Sequence, residues 1–348
     1  MNYQHVLELI NANIGTLSVD EIKEKLQPFT TGMFVNTPIL SEGTFFYRGR
    51  KFDDKFKKKS EITLADLIYP PAKIAKLGRV NRECQSIFYC ATSKEALFFE
   101  IPKLIAGDEL VITFWKLTKQ TIVNNIGYTN EVFERLGAKR PCPQWNTSAP
   151  NSPSAVISIP ENDSFQLWKT LPHDVNFELR RQFSEYFMCD VGEAESAKYK
   201  LTTAIGEMHF GDIHRGEIQD AAGQTPDRFS GIVYPSIRMY GNADNIAFLP
   251  SFVDSHLRFQ KAVHVRIDSR DNSSFKITSI DSAIEFDANG NLKWLGRTLN
   301  WKVDPGQAVK FTATAGADIY GDYETGQDGS PQYWDVVDTS TNQKVYPT

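Results

Sequence analysis

The chain has 348 residues, of which 41% are hydrophobic and 23% charged, and its formal net charge is −5. These values are ordinary for a globular protein and argue against a disordered or membrane class, and the length allows one large domain with an appendage or two domains. The acidic balance gives no global attraction to nucleic acid or to an anionic membrane surface, so neither is expected as a partner.

The cysteines and the first helix indicate the compartment. Four cysteines without C-x-x-C spacing in a chain of this size fit a reducing environment and argue against a zinc site built from thiolates. Residues 1–14 have the pattern of an amphipathic helix and lack the basic and apolar regions of a signal peptide, and no run approaches transmembrane length. We therefore expect a cytoplasmic protein.

Two helices are predicted before the first strand. Ser18 and Glu21 form a capping box, which predicts a second short helix that ends near Leu26 because Pro28 follows. Residues 1–40 are accordingly predicted to form a helical cover over the rest of the protein.

The next elements bring polar residues to the ends of apolar runs. An aromatic run over 44–50 predicts the first strand, and a capping box at Thr63 and Asp66 predicts a helix that ends before two prolines. Residues 87–91 read as a buried strand, and the Thr-Ser-Lys-Glu that follows predicts a capped helix carrying Glu100. A carboxylate inside such an apolar run indicates a functional position.

The middle of the chain is predicted to contain two core elements, a strand and a helix, with a polar tract between them. A strand is predicted over 109–117, and the Pro-, Ser- and Asn-rich tract over 139–163 is interpreted as an excursion from the core. A helix over about 176–188 follows, with an apolar stripe interpreted as core: Phe177, Leu179, Phe183 and Phe187.

The last ninety residues are predicted to be rich in β-structure. Strands are predicted over 263–267, 275–280 and 283–286, and Asp-Ala-Asn-Gly-Asn at 287–291 is a hairpin turn signal before a strand over 292–295. The segment over 312–332 fits either a strand or a loop.

Six polar residues lie beside these apolar runs: Arg48, Arg79, Tyr89, Glu100, Ser236 and Arg238. One interpretation is structural, with surface ion pairs, a packed tyrosine and a serine that caps a turn. The other is functional, because guanidinium groups match phosphates, aromatic faces stack on nucleobase or nicotinamide rings, and a carboxylate stabilises developing positive charge. Together these groups have the chemistry of a site that cleaves a dinucleotide.

The motifs around these residues resemble the RES domain, which is named for its Arg, Glu and Ser. The resemblance covers about 44–257 and rests on F-Y-R at 46–48, G-R-V-N at 78–81, I-F-Y-C-A at 87–91, A-L-F-F-E at 96–100 and G-I-V-Y-P-S-I-R at 231–238, with G-N-A-D-N-I-A at 241–247 as the tail. It implies an α+β fold, with a mixed β core and flanking helices similar to ADP-ribosyltransferases. It places the catalytic groups at Arg48, Tyr89, Glu100 and Ser236, and substrate-binding groups at Arg79, Asn81 and Arg238.

The resemblance also implies an activity. RES proteins are commonly toxins of bacterial toxin-antitoxin pairs that deplete NAD by glycohydrolysis or phosphorolysis, with NAD as substrate, no cofactor and no metal. Glu100 would counter the positive charge of an oxocarbenium-like state, and Arg48 and Arg79 would hold the diphosphate. Tyr89 would pack beside the nicotinamide. Ser236 would bind the ribose or the attacking group. An antitoxin or another protein is then an expected partner.

The chain departs from a minimal RES protein in length. We predict a helical cover over 1–40, a RES-like domain over 41–260 with an insertion at about 102–227, and a β-rich C-terminal module over 261–348. The added segments leave two alternatives to NAD cleavage open. One is transfer of ADP-ribose to a macromolecule, and the other is a catalytically inactive module that binds a nucleotide or a protein.

Two further kinds of site have weaker support. His209 and His214 flank a carboxylate and could ligate a metal, but their spacing matches no established metal motif, so a polar loop is the preferred interpretation. Ser236 is not in G-x-S-x-G and has no His near it in sequence, which gives a serine-hydrolase triad little support.

Overall fold

Strands form where aromatic and β-branched residues cluster, because these side chains pack well on a pleated surface. The computed structural model describes residues 3–30, 33, 37–52, 58–143, 173–191, 193–210, 230–271, 274–296, 307–314, 335–338 and 344–345. Within them the strands are β1 (Ile39–Leu40), β2 (Phe45–Phe52), β3 (Phe88–Ala91), β4 (Glu109–Leu117), β5 (Thr121–Ile122), β6 (Asn124–Asn125), β7 (Gly231–Pro235), β8 (Asp244–Phe248), β9 (Leu257–Arg270), β10 (Ser274–Phe286), β11 (Leu292–Trp294), β12 (Gln307–Thr314), β13 (Asp335–Asp338) and β14 (Lys344–Val345).

Helices lie before, between and after these strands. They are α1 (Tyr3–Ala12), α2 (Val19–Thr30), α3 (Leu64–Leu67), α4 (Leu97–Glu100), α5 (Asn130–Leu136), α6 (His173–Phe187), α7 (Tyr199–His209) and α8 (Pro250–His256), with 3-10 turns at Lys59–Glu61, Ala72–Ile74 and Glu193–Lys198. Helices combined with a mixed sheet confirm the predicted α+β class. Within the described part of the chain, none of the helices has both the length and the apolar character needed to cross a bilayer.

Two of the three predicted capping boxes are present, and one helix end was predicted wrongly. The third box, at 92–95, does not cap α4, because this helix begins at Leu97 and its N-cap Ala96 has no capping side chain. The Ser18 amide donates to the Glu21 carboxylate at 2.7 Å, and the Glu21 amide donates to the Ser18 hydroxyl at 3.2 Å. The Thr63 amide donates to Asp66 at 2.9 Å in the same way. However, α2 runs past Pro28 to Thr30. A proline in the last turn removes a single backbone donor, so the helix continues for two more residues before it ends.

One sheet organises the described residues. Its strand order is β14-β13-β12-β10-β9-β4-β2-β3-β8-β7-β6, with β11 paired to β10. All of these pairs are antiparallel except the parallel pair β6–β7. β1 and β5 form a separate two-stranded sheet.

The sheet runs through the predicted domain boundaries. β4, at the start of the predicted insertion, lies in the middle of the sheet between β2 and β9, so the chain up to Leu117 belongs to the core. β9 crosses the predicted boundary at residue 260, and its residues from Leu257 to Arg266 pair with β4. The β-rich C-terminal strands therefore extend the same sheet, and the division into domains stays a prediction. Much of the predicted excursion, from residue 144 onward, and most of the 312–332 segment lie outside the described residues.

Register decides which side chains share a face of this sheet, because directly opposed residues point to the same side. Tyr47 lies opposite Ala91, Ala91 opposite Asn245, and Asn245 opposite Tyr234. Tyr89, two residues before Ala91, points the same way, and we call this side the tyrosine face. The alternating residues of the same strands form the opposite side, the phenylalanine face: Phe46, Arg48, Phe88, Cys90, Ile246 and Phe248.

Aromatic side chains fill both layers of the core. On the phenylalanine face Phe46 meets Phe248 edge-on at 5.3 Å between ring centroids, and Phe252 of α8 stacks on Phe248 at 4.9 Å. On the tyrosine face the ring of Phe98 from α4 lies 6.0 Å from that of Phe275. Burial of such large side chains supplies much of the favourable free energy of folding.

Helix α2 packs on α7 and forms ion pairs with it, and α1 packs on α2. Lys23 of α2 lies 3.1 Å from Glu207 of α7, and Arg82 binds Asp20 through two nitrogens at 2.7 Å each while its Nε donates to Glu207 at 2.5 Å. Apolar residues of α1 and α2 are buried beside this network: Val6, Leu7, Ile10, Ile22 and Leu26.

The stripe predicted for α6 is correct at three of its four positions. Leu179, Phe183 and Phe187 are buried, whereas Phe177 is 52% exposed. Residues four apart share one side of a helix, but Phe177 is only two residues from Leu179 and so points to the other side. Phe177 therefore lies outside the apolar stripe that the other three residues form.

Candidate active site

A row of six residues crosses the tyrosine face from β9 to β7. Each is directly opposite the next on the neighbouring strand: Lys261, Phe114, Tyr47, Ala91, Asn245 and Tyr234. Small Ala91 separates two larger side chains in this row, those of Tyr47 and Asn245. Glu100, the last residue of α4, reaches the row at Asn245, whose side-chain amide lies 2.7 Å from the Glu100 carboxylate.

Glycine allows α4 to come this close to the sheet. A Cβ atom on Gly49 of β2 would lie 2.7 Å from Cδ1 of Ile101 and 3.5 Å from Cβ of Leu97. At the start of this turn the Ser93 hydroxyl accepts the Ala96 amide at 3.3 Å. The four-residue helix α4 therefore lies directly against the strands.

Two donors hold the Glu100 carboxylate. The Ser236 hydroxyl donates to Oε1 at 2.5 Å, and the Asn245 amide nitrogen donates to the same oxygen at 2.7 Å. None of the described residues donates to Oε2. One oxygen of a partly exposed carboxylate is therefore fixed by the protein while the other is available to a ligand.

Ser236 is an internal part of this arrangement. Its side chain is fully buried and accepts the Met239 amide at 3.0 Å while it donates to Glu100. The Ser236 amide donates to the Ala243 carbonyl at 2.8 Å, which closes the loop between β7 and β8. In this structure Ser236 orients Glu100 and does not itself face a ligand.

The loop from Ser236 to Asn245 is also held by hydrogen bonds from residues 128–140. Arg140 donates through Nε to the Gly241 carbonyl at 2.6 Å and through Nη1 to Asp244 at 3.0 Å, and its Nη2 also contacts Asp244. The Tyr128 hydroxyl donates to Asp244 at 2.7 Å, and Asn242 accepts the Lys139 amide at 2.9 Å. Residues from the predicted insertion therefore fix the strand end that carries Asn245.

Tyr89 lies beside the row, and its hydroxyl makes two hydrogen bonds within the protein. It accepts the Val80 amide at 3.1 Å and donates to Oδ1 of Asn81 at 2.8 Å. Burial raises the pKa of Tyr89, so the phenol is neutral. Asn81 is buried and donates to the Lys76 and Arg82 carbonyls at 2.8 Å each. Asn81 therefore organises the loop under Tyr89, which limits what it can offer to a substrate.

The two other predicted substrate-binding arginines have protein partners. Arg79 donates to the Phe187 carbonyl and, at 3.2 Å, to the Cys189 carbonyl, so it caps the C-terminal end of α6. Arg238 is 54% exposed and lies 3.1 Å from Asp190. Both lie near the Ser236 loop, and neither contacts Glu100.

The structure does not bring Arg48 together with Glu100. Arg48 follows Tyr47 in β2, and strand alternation turns it to the phenylalanine face, where its guanidinium lies over the Phe88 ring at 5.5 Å. It donates to the Tyr89 carbonyl at 2.8 Å, and its Nε finds no hydrogen-bond partner among the described residues. Burial lowers the pKa of Arg48 to about 10, which still leaves it charged at neutral pH.

The histidine pair yields no metal site in the described part of the chain. His209 is buried, with Nδ1 2.8 Å from the Ile205 carbonyl, and burial lowers its pKa to about 4. His214 lies outside the described residues. Among the residues that are described, no group of three or more His, Cys, Asp or Glu side chains is placed to hold a metal.

Sequence reasoning missed Asn245, Tyr47 and Tyr234. Asn245 is polar within the apolar strand β8, which is the signal that singled out Glu100, and it could have been found in the same way. Tyr234 packs edge-on against Phe187 at 5.5 Å between ring centroids, and burial raises its pKa well above the usual value. Burial also raises the pKa of Tyr47, to about 12, so all three tyrosines of this face are neutral phenols.

The described geometry thus gives a carboxylate held by two donors on a sheet face lined by tyrosines. Comparison of the chain with models of known protein families and with curated proteins gave no match. What the site does must therefore follow from its own chemistry.

Proposed function

We propose that the protein cleaves the bond between nicotinamide and ribose in NAD. The observation that carries the proposal is the Glu100 carboxylate with one oxygen held by Ser236 and Asn245. Cleavage of this bond passes through an oxocarbenium-like state, and a fixed carboxylate beside the ribose stabilises its positive charge.

The reaction balances without a cofactor. The bond electrons leave with nicotinamide, which becomes neutral, and C1′ of the ribose forms a new bond to an oxygen of water or phosphate. Attack by water releases a proton and gives ADP-ribose, whereas attack by phosphate gives ADP-ribose 1″-phosphate. Oε2 of Glu100 is the oxygen that would hold a ribose hydroxyl or the attacking group.

Aromatic side chains on the same face suit the leaving group. Tyr47, Tyr89 and Tyr234 share the tyrosine face with Asn245, and their rings offer planar apolar surfaces to a nicotinamide. Because the Tyr89 hydroxyl is bound to Asn81 and Val80, this residue is assigned the role of a wall and not that of a proton donor.

The resemblance to RES domains supports the same reaction. It points to a glycohydrolase or phosphorylase on an ADP-ribosyltransferase-like core, acting in the cytoplasm as a toxin that depletes NAD, with an antitoxin or another protein as partner. Transfer of ADP-ribose to a macromolecule begins with the same bond cleavage and differs only in the acceptor.

A nucleotide-binding module without turnover is the second candidate. The position of Arg48 on the phenylalanine face favours it, because the arginine expected to hold the diphosphate cannot reach Glu100 from there. Burial of Ser236 points the same way, since this hydroxyl is occupied by Glu100 and the Met239 amide.

Release of nicotinamide from NAD by the purified chain, with and without phosphate, distinguishes the two candidates. Glu100→Gln keeps the shape and the two hydrogen bonds but removes the charge, so we expect release to fall at least about 100-fold with an unchanged melting temperature. Glu134→Gln, on an exposed residue of α5, is the matched control. Nicotinamide release at the wild-type rate by Glu100→Gln would contradict the proposed role of this residue, and binding of NAD without release would favour the module.

A further inference from the structure

One short loop, Gly78–Arg82, holds the hydroxyl of Tyr89. The Val80 amide donates to this hydroxyl at 3.1 Å, and the hydroxyl donates to Oδ1 of Asn81 at 2.8 Å. The Gly78 amide donates to the Asn81 carbonyl at 3.0 Å and closes the loop into a turn. A Cβ atom on Gly78 would lie 2.5 Å from Oδ1 of Asn81 and 3.1 Å from the Tyr89 hydroxyl, so only glycine lets the loop fit around the phenol.

Helix α7 packs directly against this loop. The Thr203 hydroxyl, on a fully buried side chain, donates to the Gly78 carbonyl at 2.8 Å. Val80 is also fully buried, and a Cβ atom on Gly206 would lie 2.9 Å from its Cγ1 atom. A larger residue at position 206 would displace Val80, whose amide holds Tyr89, so the position of the loop depends on the surface of α7.

The last residue of the loop, Arg82, is bound by two helices at once. Its Nε and Nη2 atoms donate to the Glu207 carboxylate of α7 at 2.5 and 2.8 Å. Its Nη1 and Nη2 atoms donate to the two oxygens of Asp20 in α2 at 2.7 Å each. Paired donors of this kind fix a guanidinium group in orientation as well as in distance. Helix α2 of the N-terminal cover therefore reaches the loop that holds Tyr89.

Asn81 connects the Arg82 end of the loop to the phenol. Its side-chain nitrogen donates to the Lys76 and Arg82 carbonyls at 2.8 Å each, while its Oδ1 accepts from Tyr89. Asn81 is 3% exposed, so water offers no ready replacement for a partner that moves away. A shift of the Arg82 backbone therefore either turns the amide, which alters the hydrogen bond to Tyr89, or leaves a buried donor unpaired.

We propose that Arg82 and Thr203 are positioning residues for Tyr89, and that Asp20 makes helix α2 a part of the same support. The place of Tyr89 beside the nicotinamide rests on the proposed function, whereas the connection from α2 to the Tyr89 hydroxyl rests on the hydrogen bonds alone. The N-terminal cover then supports the site and is not a lid that blocks it, so loosening α2 or α7 weakens substrate binding.

Two variants of the full-length chain loosen the loop from different helices. Thr203→Val removes the hydroxyl that reaches the loop at nearly constant volume. Its control is Thr202→Val, which removes a neighbouring hydroxyl that bonds to a carbonyl within α7. Asp20→Asn removes a charge that binds the loop, and its control is Glu24→Gln at an exposed position of α2.

The Tyr89 phenol is observed by carbon NMR of protein labelled at the tyrosine Cζ atoms, with Tyr89→Phe to identify its signal. The Cζ shift responds to hydrogen bonding of the hydroxyl and needs no substrate. We expect the signal to move in Thr203→Val and, by a smaller amount, in Asp20→Asn, because Arg82 keeps Glu207 there. Both controls are expected to give the wild-type signal.

Three results of this measurement would count against the proposal. An unmoved signal in Thr203→Val, or an equal change in its control, overturns the role of α7. An unmoved signal in Asp20→Asn overturns the role of α2.

Steady-state release of nicotinamide from NAD tests the effect on the site. Displacement of an aromatic wall weakens binding of the leaving group, so we expect KM to rise about tenfold in Thr203→Val and about threefold in Asp20→Asn. Partial unfolding would instead lower the active fraction at an unchanged KM, and that result overturns the positioning role. If the wild type releases no nicotinamide, the proposed function fails, while the Cζ signals still decide whether α2 and α7 position Tyr89.

Discussion

One oxygen of Glu100 accepts hydrogen bonds from both Ser236 and Asn245, so the direction of the carboxylate depends on two residues at the facing ends of β7 and β8. Buried donors of this kind act through geometry, because a small displacement of a reacting group has a large effect on rate. Ser236 is therefore a positioning residue in this account, and Glu100 is the group that meets the substrate.

Ser236→Ala tests this assignment. We expect kcat to fall roughly 10- to 100-fold with little change in KM, since Glu100 loses a donor but the binding surface stays. Stability should drop by about 1–3 kcal/mol because the buried Met239 amide loses its acceptor. Steady-state kinetics and thermal unfolding measure both, with Ser255→Ala, at an exposed position of α8, as control. An unchanged kcat would remove Ser236 from the site.

Sequence reasoning could find Glu100 and Ser236 but could not place Arg48. A carboxylate or serine at the end of an apolar run is visible in the sequence, because burial of such groups requires partners. Tyr47 and Arg48 are neighbours in one strand, and which of them faces Glu100 depends on the register with β3 and β4, which no local pattern reveals. Asn245 gives the same signal as Glu100, since it is a polar residue within an apolar run.

At the scale of elements, the segment that follows α5 fixes the loop from Ser236 to Asn245 through hydrogen bonds and an ion pair. Arg140 joins the Gly241 carbonyl and the Asp244 carboxylate, and its side chain is only 9% exposed. Asp244 precedes Asn245, so this ion pair fixes the strand end from which Asn245 reaches Glu100.

Arg140→Met is expected to destabilise the protein by about 3–5 kcal/mol, because it leaves Asp244 charged, buried and without its arginine. Activity should fall together with stability. The double variant Arg140→Met with Asp244→Asn removes both charges and should regain much of the stability, whereas Arg135→Met, which breaks a more exposed pair with Glu185, should have little effect. Thermal unfolding and nicotinamide release measure these effects. A stable Arg140→Met variant with full activity would contradict the role of Arg140 in fixing the strand end that carries Asn245.

Local elements with strong signals were predictable, and the two longest strands, β9 and β10, were predicted only in part. β4 was predicted with its observed bounds, and the turn at Asp287 is present, with Gly290 at a φ of 79° and the Asp287 amide donating to the Asn291 carbonyl at 2.8 Å. β10 was predicted as two strands because its polar and apolar residues change phase. A bulge between Ser279 and Asp281 shifts the register there and turns the following residues to the other face, so a single strand reads as two.

At the scale of the whole molecule, the N-terminal helices depend on a buried charge network. Glu207 is 3% exposed and contacts both Lys23 and Arg82. Burial alone would raise its pKa, but the hydrogen bonds and charges of Arg82 and Lys23 outweigh this, and the pKa is lowered. A carboxylate with a lowered pKa in the folded state stabilises the fold above its unfolded pKa of about 4.3, and this contribution is lost as the pH falls through the folded value.

Acid unfolding monitored by circular dichroism tests this network. We expect the free energy of unfolding to decrease as the pH drops below about 4, and Glu207→Gln to reduce that decrease while lowering stability at pH 7, because Lys23 stays buried without its carboxylate. Glu134→Gln on the exposed side of α5 is the control. Identical pH profiles for the wild type and Glu207→Gln would show that the network does not govern the stability of the helical cover.

The most direct test of the central claim is proton NMR of NAD incubated with the full-length chain, in phosphate buffer and in phosphate-free buffer. The account predicts that free nicotinamide appears together with ADP-ribose or its 1″-phosphate, and that Glu100→Gln produces neither while Glu134→Gln behaves as the wild type. Unchanged NAD in both buffers, or equal conversion by Glu100→Gln, would contradict cleavage at this carboxylate.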